Sequence, residues 1–324
     1  MKTDVVYIVQ EKKAEIRQVE IAPPRPWEVQ IEVVACGVCA WDSYLFKGMD
    51  LLMPFPFSIG HEAVGIVREA GELVKTFGPG DCVFCIEEMP QMQMSQVINI
   101  NAVNAGFLPC KPNKTLDFVQ HIGEPCVCVI NGMSNISLAP GDNVVIIGTG
   151  YMGLLSVQAF HHSHIGTLTC FDIDERRLNL AKKYGADACY ISGSAEAKRA
   201  ADEIIASGGA DIVIECSASQ DGLKLATDIV RNGGTISNFA WHRAERTIDA
   251  SPWHLKGIKI INTSPACAPH FSDYVIPTQR LMARGVFDQR DLITHVMDYH
   301  KIQELLSISE SKSDGYIKGV ATFR

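Results

Sequence analysis

Four side chains in the first 125 residues are of types that gather around a cation. Cys39 stands in Ala35-Cys36-Gly37-Val38-Cys39-Ala40-Trp41-Asp42, His61 and Glu62 in Gly60-His61-Glu62, and Glu124 in Gly123-Glu124-Pro125. A thiolate, an imidazole and a carboxylate drawn from separate loops suit zinc, which takes S, N and O ligands and keeps one position open in catalytic sites. Each residue also has an ordinary reading, since a lone Cys is usually a small buried hydrophobe and a lone His usually structural. The joint reading gains weight from a second motif downstream, Gly148-Thr149-Gly150-Tyr151-Met152-Gly153.

That glycine run follows the apolar stretch Val144-Val145-Ile146-Ile147 and opens a helix-forming segment, the context a dinucleotide fingerprint needs. Gly148 allows the tight turn, Gly150 lets a pyrophosphate approach the backbone, and Gly153 lets helix and strand pack closely. Free N–H groups at the helix start, around Tyr151 and Met152, then face the phosphates. The next strand ends at Asp172, where a carboxylate accepts from the adenosine ribose hydroxyls and repels a 2′-phosphate. NAD is therefore expected over NADP. Arg176 and Arg177 follow; both read as a solvated first helical turn, with Arg177 kept as a contact to the cofactor.

The elements that must position these groups fall into two rhythms. Up to about residue 122, short β-prone runs are broken by Gly and Pro, as in Glu28–Ala35, Ala63–Ala70 and the turn Gly78-Pro79-Gly80-Asp81 before Cys82-Val83-Phe84. Period-two alternation of this kind predicts a compact, mostly antiparallel β domain. Beyond it, strands at Val144–Ile147, Thr167–Phe171, Asp211–Cys216, Gly234–Asn238 and Lys259–Asn262 alternate with helices at Gly153–Phe160, Glu175–Tyr184 and Leu223–Val230. Alternation of buried strands and helices predicts a doubly wound parallel sheet, and the fold class is α/β. From about 268 the rhythm stops: a helix near Val275–Ala283, the run Leu292–His295, a helix Ile302–Ile308 and a strand Gly319–Phe323. This tail is placed back on the first domain. The expected division is 1–122, 123–267 and 268–324.

At 324 residues the chain can bury two cores. Its net charge of −8 argues against a nucleic-acid partner. No apolar run is long enough for a membrane span, and the N-terminus lacks a secretory h-region. The 11 cysteines are odd in number and scattered, which reads as reduced thiols in a cytoplasmic protein.

Taken together, Cys36-Gly37-Val38-Cys39-x-x-Asp42, Gly60-His61-Glu62, Gly78-x-Gly80-Asp81, Glu124-Pro125 and the cofactor fingerprint resemble the medium-chain dehydrogenase/reductase superfamily, in its zinc-containing branch of the alcohol, sorbitol and threonine dehydrogenase type. The resemblance covers essentially the whole chain. It implies a GroES-like catalytic domain joined to a Rossmann domain, in a homodimer or homotetramer. It also implies Cys39 and His61 as the first two zinc ligands, Glu124 as the third protein ligand, Glu62 as a neighbouring exchangeable carboxylate, and Asp42 as the carboxylate orienting His61. Cys39, Glu62 and Glu124 bound at once would give the metal a net negative shell, so the two carboxylates are expected to compete.

Two departures from the family pattern matter. The lobe that often carries four structural-zinc cysteines offers only Cys82 and Cys85, then Glu87-Glu88-Met89-Pro90-Gln91-Met92-Gln93-Met94. One catalytic zinc is therefore expected, with the Met-rich stretch as packing or subunit-contact surface. The family's proton-relaying Ser or Thr after the first ligand is Trp41, and a common His further on is Tyr44. Proton transfer through metal-bound water, Glu62 or Tyr44 stays open, and Trp41 either reshapes the pocket or fills space. The implied reaction is reversible oxidation of a secondary alcohol (a polyol, sugar or cyclitol) with NAD. The rival readings are a zinc-free NAD(P)H-dependent enone or quinone reductase and a non-catalytic dinucleotide-binding protein.

Overall fold

The computed structural model describes residues 1–49, 54–86, 92–109 and 117–324. The first strands are Lys2–Gln10 (β1), Lys13–Glu20 (β2), Glu28–Val38 (β3), Phe57–Ser58 (β4), Ala63–Ala70 (β5), Cys82–Cys85 (β6), Val97–Asn101 (β7) and Ala105–Phe107 (β8), with one helix, Ala40–Phe46 (α1), after β3. Helix Glu124–Ser134 (α2) leads into an alternating series. Its strands are Asn143–Ile147 (β9), Thr167–Asp172 (β10), Ala188–Ile191 (β11), Ala210–Glu215 (β12), Val230–Asn238 (β13) and Lys259–Asn262 (β14). The helices of that series are Tyr151–His161 (α3), Glu175–Lys183 (α4), Ala195–Ala206 (α5), Gln220–Ile229 (α6) and Ser251–Lys256 (α7). Helix Val275–Ala283 (α8), strand Ile293–Asp298 (β15), helix Ile302–Ser311 (α9) and strand Lys318–Thr322 (β16) follow.

Contacts divide the chain into one unit of Met1–Val127 with Ser272–Arg324 and a second of Cys128–Phe271. In the first unit, the sheet runs β15-β16-β3-β5-β6-β8, with β7 paired to β3, and β2-β1-β4 form a separate sheet. Strand β3 is its spine. Alternate residues Val29, Ile31 and Val33 face a core shared with Val6, Ile8, Val67, Val83 and, from the tail, Leu305, Leu306 and Ala321. The return of α9 and β16 to this core is what carries the end of the chain back to its beginning. Cys82 and Cys85 both lie in β6. Residues 87–91 of the Met-rich stretch lie outside the described residues, but Gln93 and Met94 just beyond are buried, so these two pack inward.

The second unit is a parallel sheet in the order β11-β10-β9-β12-β13-β14. Strands β9 and β12 are central and mostly apolar inside, because helices cover both faces of such a sheet. Order reverses between β9 and β12, and the crevice outside their carboxyl ends is where an open α/β sheet binds its ligand. Helices α2, α5 and α7 and the edge strand β11 have no counterpart among the elements predicted from the sequence; α5 is capped by Ser194 accepting from the Ala197 amide at 3.0 Å.

Candidate functional site

In the first unit, strand register gathers residues far apart in sequence. The end of β3 pairs Cys36 with Ala63 at the start of β5, which places His61 and Glu62 beside the segment leading to Cys39. On its other edge β3 pairs Val38 with Gly319 of β16, which delivers Lys318. Only a glycine at 37 fits here, since a Cβ there would collide with the Glu62 carboxylate and crowd Lys318 Cε at 3.1 Å. Gly60 has φ +95°, and a Cβ on it would meet the Met94 backbone, so a side chain at 60 would displace the His61 loop.

One ligand atom from each of Cys39, His61 and Glu62 lies within 4.8 Å of the others, the one such group found among the described residues. His61 and Glu62 are buried, and Cys39 is partly exposed. The His61 Nδ1 atom is buried with no hydrogen-bond partner, an arrangement that costs energy unless something else meets the lone pair or proton. Burial disfavours a charged His61, yet Cys39, Asp42 and Glu124 outweigh it and hold its pKa well above the usual imidazole range. The pocket thus attracts positive charge. The donor set (S, N and O with an orphaned imidazole nitrogen) fits a zinc ion.

Asp42 is fully buried at the start of α1. Its Oδ2 accepts from the Cys39 amide at 2.8 Å and its Oδ1 from the Gly60 amide at 3.3 Å, while His61 Nδ1 is 3.9 Å from Oδ1. It therefore ties together the backbones of both ligand-bearing loops, rather than gripping the imidazole directly. Burial, the largest influence, raises its pKa. Lys318 was missed from sequence. Its Nζ donates to Glu62 Oε1 at 2.7 Å and lies 2.5 Å from Oε2, with both side chains almost fully buried. A lysine opening the otherwise largely apolar strand β16 was the available signal. Burial alone would neutralise it, but Glu62 and Cys39 keep its pKa raised.

The remaining candidates stand apart from the cluster. Glu124 is buried and acts electrostatically on His61 and on Cys126, but it is not in the group whose ligand atoms converge. Cys36 and Cys126 are buried thiols pushed well above the usual thiol pKa by burial and then by neighbouring carboxylates, so Cys39 is the sulfur suited to a metal. Tyr44 lines a small surface cleft with Ser43, Lys47, Ser309 and Glu310. It sits two residues beyond Asp42, about 200° round the helix and hence on the other face. Trp41 is partly buried against the first unit's core.

In the second unit, β9 ends in the glycine turn and α3 begins with Gly150 as its N-cap. Gly148 has φ +91°, and a Cβ there would lie 2.7 Å from the Ser217 amide. A Cβ on Gly153 would strike the Gly148 carbonyl, whereas one on Gly150 would meet nothing within 4 Å. Space is thus held open over Gly150 at the start of the helix, where N–H groups of the first turn lack intrahelical partners. The buried Thr149 hydroxyl has no partner. This cradle fits a dinucleotide's diphosphate. Asp172 is buried at the end of β10; its Oδ2 accepts from the Thr149 amide at 2.5 Å and its Oδ1 from the Asp174 amide at 2.8 Å. The carboxylate is thereby locked onto the glycine turn with a lone pair left on each oxygen. Met152 and Tyr151 start α3, with Tyr151 buried. Arg177 is half-buried, 3.8 Å from Asp174, while Arg176 pairs with Asp174 at 2.9 Å and is largely exposed.

The comparisons with known proteins agree with this layout. A model of the family described as "Alcohol dehydrogenase GroES-like domain" matches residues 25–108, and one described as "Zinc-binding dehydrogenase" matches residues 150–275. The chain is 25% identical, over 93% of each chain, to an uncharacterized zinc-type alcohol dehydrogenase-like protein of Escherichia coli. It is also 25% identical to D-xylulose reductase A of Aspergillus niger, covering 85% of this chain and 84% of that one. In fold it is similar to an Escherichia coli oxidoreductase/dehydrogenase of unknown specificity, with a TM-score of 0.88 at 22% identity over 99% of each chain. The chain belongs to the zinc-containing alcohol dehydrogenase branch of the medium-chain dehydrogenase/reductase superfamily.

Proposed function

We propose that this oxidoreductase of alcohols is zinc-dependent and NAD-linked, and interconverts a secondary alcohol with its ketone, the alcohol being a polyol, sugar or cyclitol. The convergence of Cys39, His61 and Glu62 within 4.8 Å carries the reading. The polyol class is supported by the similarity to a D-xylulose reductase, and NAD over NADP by the carboxylate of Asp172 at the end of β10. Zinc when bound polarises the hydroxyl as a Lewis acid, and the oxidised nicotinamide takes up the hydride.

The chain's own residues set the conditions for that chemistry. Cys39 and His61 hold the metal, and Asp42 fixes their loops through two backbone amides. A thiolate and the Glu62 carboxylate together cancel the ion's two positive charges. Lys318, paired with Glu62, returns one positive charge to the pocket and would preserve the Lewis acidity that a bound metal offers the substrate oxygen. Gly150 and the α3 N-terminus bind the diphosphate, and Asp172 orients the adenosine ribose. A zinc-free reductase has no use for the Cys39–His61–Glu62 cluster, and a purely structural protein has no use for the open cradle at Gly150.

The test is metal analysis together with a panel of polyols, sugars and inositols, supplied with NAD or NADP, on the protein before and after chelation. The expected result is about one zinc per chain, reduction of NAD by at least one panel member, and loss of turnover on chelation that zinc restores. Turnover that survives complete removal of metal would overturn the zinc assignment. Failure of the metal-loaded protein to reduce either dinucleotide with any panel member would overturn the substrate class.

A further inference from the structure

A buried polar network in the second unit lies outside every motif used so far. Glu215, the last residue of β12, is fully buried. Its Oε1 accepts from the Ser217 amide at 2.8 Å and from the Ser217 hydroxyl in a very short bond. Its Oε2 lies 2.7 Å from His242 Nε2. On the far side of the ring, Arg246 Nε donates to His242 Nδ1 at 3.2 Å. These two contacts fix the tautomer: Nε2 carries the proton toward Glu215 and Nδ1 accepts from the arginine. The guanidinium is also anchored through Nη2 to the Ala218 carbonyl at 2.6 Å and through Nη1 to the Glu245 carbonyl at 3.3 Å.

The network has a direction. It starts at the carboxyl end of β12, the strand bordering the point where sheet order reverses. Ser217 packs directly on Gly148 of the dinucleotide turn. The next residue, Ala218, is held at φ +53°, a strained conformation for a residue with a Cβ and one that gathers at ligand sites. Its carbonyl receives Arg246. A guanidinium has five N–H donors, and three are accounted for. The rest are left on a half-buried cation beside a crevice whose glycine turn offers an anion neutral backbone amides. A dinucleotide's diphosphate carries two negative charges, which a helix terminus of about half a charge leaves largely uncompensated.

We propose that Arg246 is a cofactor-binding residue whose guanidinium pairs with the dinucleotide's diphosphate, and that His242 and Glu215 are the positioning residues that aim it. This inference rests on the nicotinamide reading above and deepens it. The chain meets the diphosphate from two sides, with the β9–α3 turn supplying N–H groups and the segment after β13 supplying the charge. Arginine suits the task because its fork both anchors to carbonyls and offers paired donors to a phosphate.

The test uses the full chain with NADH, followed by fluorescence, and with ADP-ribose, followed by calorimetry; adenosine, which has no phosphate, is the control. Arg246→Gln is expected to weaken NADH and ADP-ribose alike by about tenfold or more, equivalent to about 1.4 kcal/mol, with adenosine unchanged and the thermal midpoint near wild type. Arg246→Lys, which keeps the charge, should recover part of the loss, and the salt dependence of NADH binding should be shallower in the Gln variant. Unchanged NADH and ADP-ribose affinity in Arg246→Gln overturns the proposal. If the Gln variant fails to fold, the Lys variant decides: ADP-ribose binding weaker than wild type with adenosine unchanged supports the guanidinium–phosphate contact, and ADP-ribose affinity equal to wild type overturns it. Wild-type protein that binds neither NADH nor ADP-ribose would refute the nicotinamide reading itself, an outcome distinct from a variant that binds as well as wild type.

Discussion

Two glycines three residues apart in one turn should respond to the same methyl group in opposite ways. At Gly150 the backbone is extended, with φ −65° and ψ −171°, and an added Cβ has nothing within 4 Å. Replacing an N-cap Gly with Ala costs from a few tenths to about 1 kcal/mol, while the stiffer unfolded chain returns about 0.4–1 kcal/mol. Gly150→Ala should therefore leave stability within about 0.5 kcal/mol of wild type. The same methyl fills the space where a diphosphate would approach. Losing one hydrogen bond to a charged group, at about 1.5–3 kcal/mol, predicts NADH binding weaker by about ten- to a hundredfold. At Gly153 the methyl would overlap the Gly148 carbonyl, which is itself pinned against Ser217. Gly153→Ala should cost about 1–3 kcal/mol or more in stability, with weak binding as a by-product. Urea denaturation and NADH titration on both variants separate the effects. A Gly150→Ala protein that binds NADH as tightly as wild type would refute the reasoning, as would one that unfolds as readily as Gly153→Ala.

Cys39→Ser should abolish metal retention and turnover but leave NADH affinity within about twofold, because the two functions reside in separate units; elemental analysis and fluorescence titration check both halves. Lys318→Met strands the buried Glu62 carboxylate and should destabilise the protein by about 3–5 kcal/mol, with much of the loss recovered in the double variant Glu62→Gln/Lys318→Met; a denaturation cycle measures the coupling. NADH should bind more tightly than NADPH, and Asp172→Ala should narrow the difference by removing the charge that repels a 2′-phosphate. Equal affinities of the wild type for the two dinucleotides would remove the argument from Asp172.

Much of the second unit was readable in the sequence because its information is local. Val144–Ile147, Ile212–Ile214 and Ile260–Ile261 are apolar runs, and each lies in a parallel strand. What escaped was weak in contrast. Strand β11 is four residues long and half-buried at a sheet edge, and α5 covers its face largely with alanine, so neither produces a strong apolar rhythm. In the first unit the motifs pointed to Cys39, His61 and Glu62, but nothing local ties Glu62 to Lys318, 256 positions away. That pairing follows from β16 joining the edge of β3, a tertiary fact. Glu124 illustrates the converse: the pattern marked it as an acid in the right region, while the ligand atoms that converge are those of its rival Glu62. The network of Glu215, His242 and Arg246 was invisible for the same reason as Lys318, since two strand ends and an irregular segment must be brought together before it exists.

The strand bearing Lys318 lies almost a whole chain length after the strand it completes. A ribosome therefore presents Glu62 to the cell well before the ammonium that neutralises it. During that interval Glu62 lacks the cation it pairs with in the folded protein and the β3 edge that β16 covers is open, so ion capture would compete with misplaced strand pairing. Completion of this cluster therefore waits on a segment made 256 residues after Glu62, and the pairing of β16 with β3 is the folding event that closes it.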